Sequence, residues 1–168
     1  MRRAAVLLLA LLFLFLPARA QSSAATRADF VTALWESAGA VPFDANTPFT
    51  DVAPTAAYAP AVGWACGEGI LYGVGEDRFA PDRPITREEA AALLRRWAGR
   101  LGRSTFLPDG VAECNDYADL SPWADDSLYW ACDVGLIPWS PEGRLAPQDT
   151  LTQEEIAGIL DFFVHGAA

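Results

Sequence analysis

The sequence contains an internal repeat, which restricts the fold more than any other feature because each copy must adopt the same local structure. Residues 62–94 and residues 128–160 align without a gap at a constant offset of 66 positions. The identical pairs include residue types that pack or end helices: Trp64 and Trp130, Cys66 and Cys132, Gly69 and Gly135, and Pro81 and Pro147. The same structural unit is therefore expected at least twice.

Two shorter matches extend the repeat in both directions. FTDV at residues 49–52 matches YADL at residues 117–120 with a two-residue slip, and TRADFVTAL at 26–34 matches TREEAAALL at 86–94. One compact domain is predicted after residues 1–20. It contains a partial repeat over residues 21–45, a full repeat over 46–104 and a divergent repeat over 105–168.

Each full repeat is predicted to form a helix, a loop and a second helix. Apolar residues recur at helical spacing over 59–67 and 124–133, and Gly69 and Gly135 follow at the position that often ends a helix. The second helix is predicted to begin after a threonine that has an acidic residue three positions later, the spacing of a capping box. This pair occurs three times: Thr26 with Asp29, Thr86 with Glu89, and Thr152 with Glu155. Alternating strand patterns are sparse, so the predicted fold class is all-α.

The first 20 residues have the features of a secretory signal peptide. Arg2 and Arg3 precede an apolar run over residues 4–16, and residues 18–20 (Ala-Arg-Ala) have the small-x-small form that signal peptidase recognises. The run is shorter than the roughly 20 apolar residues that a transmembrane helix needs. We expect cleavage before Gln21, secretion, and no membrane insertion after cleavage; an uncleaved membrane anchor is the alternative.

The charge of the mature chain restricts its partners. All 12 basic residues are arginines, three of them precede Gln21, and the remaining nine face 22 acidic residues, which gives a net charge of −13. Such a field repels nucleic acids and acidic membranes, so no nucleic-acid partner is expected. Binding of an anion would have to rely on a local cluster of cations.

Residues 49–94, which include FTDV and WACGEGILYGVGEDRFAPDRPITREEAAALL, resemble the S-layer homology (SLH) repeat. The shared hallmarks are an aromatic-x-Asp-Val opening, a Gly-Ile pair, a Phe-x-Pro element and an Ile-Thr-Arg helix start. The resemblance implies three repeats in a pseudo-threefold helical bundle at the cell wall or cell surface. It further implies non-covalent binding of an anionic, often pyruvylated, secondary cell-wall polysaccharide in grooves between the repeats, without enzymatic activity or a cofactor.

The arginine of the family's Thr-Arg motif corresponds to Arg27 and Arg87. A cation in the first helical turn is unfavourable by roughly 0.3–1 kcal/mol, which an external anion bound to the guanidinium and the helix N–H groups would offset. The alternative is that each arginine pairs with a carboxylate of the protein. We expect Arg87 to be an exposed, principal polymer contact and Arg27 a secondary one, with Thr86, Glu89 and the loop residue Tyr72 completing the ligand site.

Trp64 and Trp130 lie on the periodic apolar face and are expected in the core. The third copy departs from the family pattern, because Gln153 replaces the arginine and residues 139–141 (Trp-Ser-Pro) replace the glycine-bearing stretch 73–75. A module that has lost glycan affinity and instead binds a protein partner in the envelope is therefore an alternative function. An envelope hydrolase is a second alternative.

Three cysteines allow three different disulfides, each of which leaves one free thiol. We predict a disulfide between Cys114 and Cys132, although Cys66 and Cys132 also suit small buried positions. The chain has one histidine, His165, three residues from its end, where it is a poor catalytic base. No zinc-type Cys/His spacing is present, so no catalytic residue, metal or cofactor is predicted.

Overall fold

The protein is described by a computed structural model that covers residues 23–44, 46–107 and 114–166. The predicted signal peptide and its cleavage point before Gln21 lie outside the described residues. Five helices follow one another: α1 (Arg27–Ser37), α2 (Ala59–Gly67), α3 (Arg87–Arg100), α4 (Asp125–Asp133) and α5 (Gln153–Asp161). Short 3-10 turns occupy Tyr117–Asp119 and Pro141–Gly143, and a π-helical turn occupies Phe162–Gly166.

The all-α prediction is confirmed, since the described ranges contain helices and isolated bridges but no β-strand. None of the helices in these ranges is long and apolar enough to cross a membrane.

The three predicted capping boxes are present. The hydroxyls of Thr26, Thr86 and Thr152 each accept a hydrogen bond from the backbone N–H three residues later, at 3.1, 3.4 and 3.2 Å. In return, the side chain of that later residue accepts a bond from the backbone N–H of the threonine. Because these pairs satisfy donors that a helix leaves open at its start, they fix the first residues of α1, α3 and α5.

A ring of three backbone hydrogen bonds joins the repeats immediately before these helices. Ala25 donates its N–H to the carbonyl of Leu151 at 2.8 Å, Leu151 donates to Ile85 at 3.2 Å, and Ile85 donates to Ala25 at 3.0 Å. Each residue directly precedes a capping threonine, so equivalent positions meet around a common centre. The predicted approximate threefold arrangement of α1, α3 and α5 is confirmed.

One continuous core runs through all the repeats. Helix α2 packs on α1, α4 packs on α3, and α5 packs on α1. The predicted apolar stripes are buried: Phe30 and Leu34 on α1, Ala90 and Leu94 on α3, and Ile156 and Leu160 on α5. Trp64 and Trp130 are 5 % and 3 % exposed, which confirms their predicted place in the core.

Glycines end the opening helices as predicted. Gly69 and Gly135 have φ angles of +69° and +75°, a left-handed conformation that disfavours residues with a Cβ atom. After Gly69, the N–H groups of Ile70 and Leu71 both return to the carbonyl of Ala65, which closes the end of α2. This reversal directs the following loop, which includes Tyr72, back across the molecule.

The predicted match of residues 49–52 with 117–120 is wrong. Asp51 accepts hydrogen bonds from the N–H groups of Phe79 and Ala80, both at 2.8 Å. In the third repeat the same role falls to Asp116, which accepts from the residues 66 positions after those two, Leu145 at 2.9 Å and Ala146 at 2.7 Å. The equivalent of FTDV is therefore the segment 114–117 (Cys-Asn-Asp-Tyr), and Cys114 takes the place of the first-position Phe.

Candidate functional site

The Arg27 side chain is directed into the next repeat. It is only 4 % exposed, its Nε donates to the carbonyl of Phe79 at 2.8 Å, and its Nη1 lies 3.0 Å from the carboxylate of Glu89. The guanidinium carbon also lies 5.0 Å from the centroid of the Phe79 ring. Burial lowers the pKa of Arg27, while the nearby Glu89 carboxylate acts in the opposite direction. Since an arginine keeps its proton at physiological pH, the position holds a buried, paired cation.

Arg87 repeats this arrangement one unit later, so the expectation that it is exposed is wrong. It is 7 % exposed, its Nε donates to the carbonyl of Leu145 at 2.8 Å, and its Nη2 donates to the carbonyl of Pro138 at 2.8 Å. Leu145 is the repeat equivalent of Phe79, so both arginines connect one repeat to the loop of the next. The physical reason is that the helix start packs against this loop, which leaves the side chain no path to solvent.

The backbone donors at the starts of α1 and α3 are occupied as well. The first two N–H groups of each helix bind carbonyls of the following repeat at 2.9–3.2 Å: Arg27 and Ala28 bind Arg83 and Pro81, and Arg87 and Glu88 bind Asp149 and Pro147. The expectation that an external anion uses these N–H groups is therefore wrong. At these two helix starts, a ligand would have to bind through side chains.

A groove of about 560 Å³ opens where the three repeats meet. It brings together four of the five predicted ligand residues, Arg27, Tyr72, Thr86 and Glu89. Arg87 does not line it, because its guanidinium is buried under the third repeat. We call this cavity the central groove.

Two further arginines line the central groove. Arg83 has a side chain that is 46 % exposed, and it pairs with the same Glu89 oxygen that binds Arg27. Arg96 donates from Nη1 to the carbonyl of Ile70 at 3.2 Å, and its guanidinium carbon lies 4.7 Å from the centroid of the Tyr72 ring. Three guanidinium groups thus face two carboxylates, Glu88 and Glu89, which gives the groove a local positive balance inside a strongly acidic protein.

Two exposed aromatic side chains contribute to the same groove. Tyr72 is 62 % exposed and Trp123 is 54 % exposed, and both line the cavity. The Arg96 guanidinium orders the Tyr72 ring from one side. Exposed aromatic faces next to cations are suited to a sugar that carries a negative charge, because C–H groups stack on the ring while the anion pairs with arginine.

Sequence reasoning missed Arg83, Arg96 and Trp123. The sequence offered a signal for Arg83, which lies three residues before the capping Thr86. It offered none for Arg96, which is one of several arginines on its helix. Trp123 belongs to the divergent third repeat and comes to the groove only through tertiary packing. No single repeat therefore contains the complete site.

The three cysteines are free thiols, and the predicted bridge between Cys114 and Cys132 is not formed. The hydroxyl of Tyr129 donates instead to the Cys114 sulfur at 3.3 Å. Burial raises the pKa of Cys66 and of Cys132, each to about 11. Burial also raises the pKa of Tyr129, to about 12. These groups stay protonated at neutral pH.

Chemically reactive clusters are sparse in the ranges that the structure covers. His165 is largely exposed and lies 3.1 Å from Asp161 on the final turn, apart from the central groove. The described residues contain no group of three or more His, Cys, Asp or Glu side chains that could hold a metal ion.

The fold and the groove define a class of protein, an all-α repeat module with a cationic groove between its repeats. The model of the S-layer homology domain matches residues 48–91. The chain therefore carries an S-layer homology domain over these residues. A cell surface protein of Thermoanaerobacter kivui is 34 % identical over 121 residues, which are 71 % of this chain and 16 % of that protein.

Of two other relatives, one is named as a surface-layer protein and the other as an enzyme. The surface-layer 125 kDa protein of Lysinibacillus sphaericus is 30 % identical over 120 residues, 68 % of this chain and 10 % of that protein. An endoglucanase of a Bacillus species (strain KSM-635) is 30 % identical over 142 residues, 80 % of this chain and 14 % of that enzyme. The chain thus spans about a sixth or less of these relatives. The S-layer homology domain and the surface proteins among the relatives indicate a location at the cell surface or in the cell wall, and they support cell-wall anchoring in general terms.

Proposed function

We propose that the central groove binds an anionic polysaccharide of the cell wall and that this binding anchors the protein without a covalent bond. The observation that carries the proposal is the convergence of three arginines and two exposed aromatic rings in one groove. Residues 21–168 carry a net charge of −13, so a groove in which arginines outnumber carboxylates differs in charge from the protein as a whole. An anionic ligand would meet attraction in this groove at short range.

The arginines support a negatively charged ligand. Arg83 is half-exposed, and its planar guanidinium can present two parallel donors to a carboxylate or a phosphate. Glu89 holds Arg27 and Arg83 together through one oxygen, which leaves their combined charge only partly neutralised. A carboxylate-bearing sugar, such as a pyruvylated residue, would match the remaining positive charge of this pair.

The aromatic residues support a carbohydrate as the ligand. Tyr72 and Trp123 expose more than half of their surface although they are large apolar side chains. Stacking the C–H groups of a sugar on such a ring removes apolar surface of both partners from water, which stabilises the complex. A free small anion would gain nothing from these rings.

Binding to purified bacterial sacculi, before and after acid extraction of their non-peptidoglycan polysaccharide, tests the proposal. Wild-type protein should bind the intact sacculi and lose binding after extraction. Tyr72→Ala should bind several-fold more weakly, while Phe106→Ala, which removes an exposed aromatic ring outside the groove, should bind like the wild type.

Four results would contradict the proposal. Retention on extracted sacculi would exclude the polysaccharide as the ligand. Equal binding by Tyr72→Ala and the wild type would exclude the groove. Release of soluble sugar from the sacculi would indicate a hydrolase. If the protein fails to bind either preparation but is retained by envelope proteins, a protein-interaction module takes the place of the anchoring function.

A further inference from the structure

Glu88 is a buried carboxylate in the wall of the central groove, and the anchoring function does not use it directly. It is only 3 % exposed and lies in the first turn of α3. Its repeat equivalents are different in character, since Ala28 has no polar side chain and Glu154 is exposed. Burying a carboxylate costs free energy unless hydrogen bonds compensate, so this position calls for a specific explanation.

The compensation comes from the third repeat. The backbone N–H of Ser121 donates to Oε2 of Glu88 at 3.1 Å, and the Ser121 hydroxyl donates to Oε1 at 2.9 Å. Nε2 of Gln148 donates to the same Oε1 at 3.0 Å and also to the carbonyl of Asp119 at 3.3 Å. One carboxylate therefore holds a segment that is 33 residues away in sequence.

That segment carries the exposed tryptophan of the groove. Ser121 opens a turn over residues 121–124, which closes when the N–H of Ala124 donates to the Ser121 carbonyl at 2.8 Å. Pro122 and Trp123 are the two central residues, and a proline at the first of these is favoured in such turns. Trp123 projects into the groove from a turn whose first residue is fixed by two bonds to Glu88.

We propose that Glu88 is a positioning residue, which fixes the turn 121–124 and so holds the Trp123 indole at the wall of the groove. The effect of Glu88 on ligand binding rests on the proposed function, because the positioned ring is the one that stacks on the sugar. The geometric part stands without any ligand. The interaction is particular to this junction, because Ala28 offers no carboxylate to the loop that packs on α1.

The geometric part is tested by ¹⁹F NMR of protein labelled with 5-fluorotryptophan. The chain has six tryptophans, and Trp123→Phe identifies the Trp123 resonance among them. Glu88→Ala should move this resonance toward the position of a solvent-exposed indole and leave the other five in place. Glu154→Ala, the change at the equivalent exposed position, should leave all six unchanged. An unmoved Trp123 resonance in folded Glu88→Ala would overturn the proposal.

The functional part is tested by the affinity for the polysaccharide released from sacculi by mild acid. Trp123→Ala and Glu88→Ala should each weaken binding by about tenfold, and the double variant should be no more than about twofold weaker than either, because both act through one ring. Losses that multiply to about a hundredfold would mean that Glu88 does not act through Trp123. If Trp123→Ala binds normally while Glu88→Ala still moves the Trp123 resonance, the positioning holds and the groove is not the polysaccharide site.

Discussion

Arg87 provides the sharpest test of how the repeats are held together. Its guanidinium donates to two carbonyls of the third repeat, Leu145 and Pro138, both at 2.8 Å, and it is 7 % exposed. A hydrogen bond from a charged group contributes roughly 1.5–3 kcal/mol, so Arg87→Ala should lower the free energy of unfolding by about 3–5 kcal/mol. For a domain of this size, that loss corresponds to a fall in Tm of roughly 10 °C.

Urea unfolding followed by far-UV circular dichroism measures the effect, with Arg100→Ala as the matched control. Arg100 is mostly exposed and pairs with Glu68 at 2.9 Å, so its removal should cost no more than about 1 kcal/mol. Arg87→Lys should lie between the two, because an ammonium group cannot reach both carbonyls in the manner of a guanidinium.

Polysaccharide binding by Arg87→Ala separates a structural role of Arg87 from a role in ligand contact. Folded Arg87→Ala, assayed well below its Tm, should bind the extracted polysaccharide within about twofold of the wild type, a difference of less than about 0.5 kcal/mol. An unfolding free energy within about 0.5 kcal/mol of the wild type would refute the structural role. Lost binding at unchanged stability would restore the original expectation of a polymer contact.

The remaining predictions concern acid stability, thiols and export. Burial alone would raise the pKa of Asp116, but the N–H groups of Leu145 and Ala146 together with Arg144 hold this pKa below its usual value. The ionised Asp116 therefore stabilises the fold above about pH 4, and this contribution disappears as the pH falls through the lowered pKa. Urea unfolding between about pH 7 and pH 2 should show this acid-induced loss, and a curve for Asp116→Asn that falls as steeply would contradict it. Cys66 and Cys132 each have a pKa of about 11, against 9.0 for the unperturbed thiol. At neutral pH they should therefore react with iodoacetamide about a hundredfold more slowly in the native protein than after unfolding. Rapid labelling of the native protein would contradict this prediction. N-terminal sequencing of secreted protein should begin at Gln21, and a chain that keeps residues 1–20 would exclude cleavage there.

The helices and their centre were predictable because their signals are local. A threonine followed three residues later by a carboxylate is a contact within one turn, so Thr26, Thr86 and Thr152 could be assigned from spacing alone. The offset of 66 positions then placed equivalent helices in two of the repeats, and the short match at residue 26 supplied the third.

The site was less predictable because its parts are far apart in sequence. Whether Arg87 faces solvent depends on the loop of the next repeat, which covers it through Leu145. Glu88 reaches Ser121 across 33 residues, and no periodic pattern signals such a contact. Asp116 was not aligned with Asp51 because the two repeats differ in length by one residue at this point. Asp116 lies 29 positions before Leu145, whereas Asp51 lies 28 positions before Phe79, so the offset of 66 that relates the later parts of the repeats does not relate these two aspartates.

The affinity of the extracted polysaccharide for Arg83→Ala, compared with Arg100→Ala, tests the central claim most directly. Both arginines are about half-exposed and each pairs with one glutamate, but only Arg83 lines the central groove. At moderate salt, Arg83→Ala should bind at least about tenfold more weakly than the wild type, as expected for the loss of a charge-assisted hydrogen bond, while Arg100→Ala should bind normally. Equal affinities for the two variants would contradict the assignment of the central groove as the polysaccharide site.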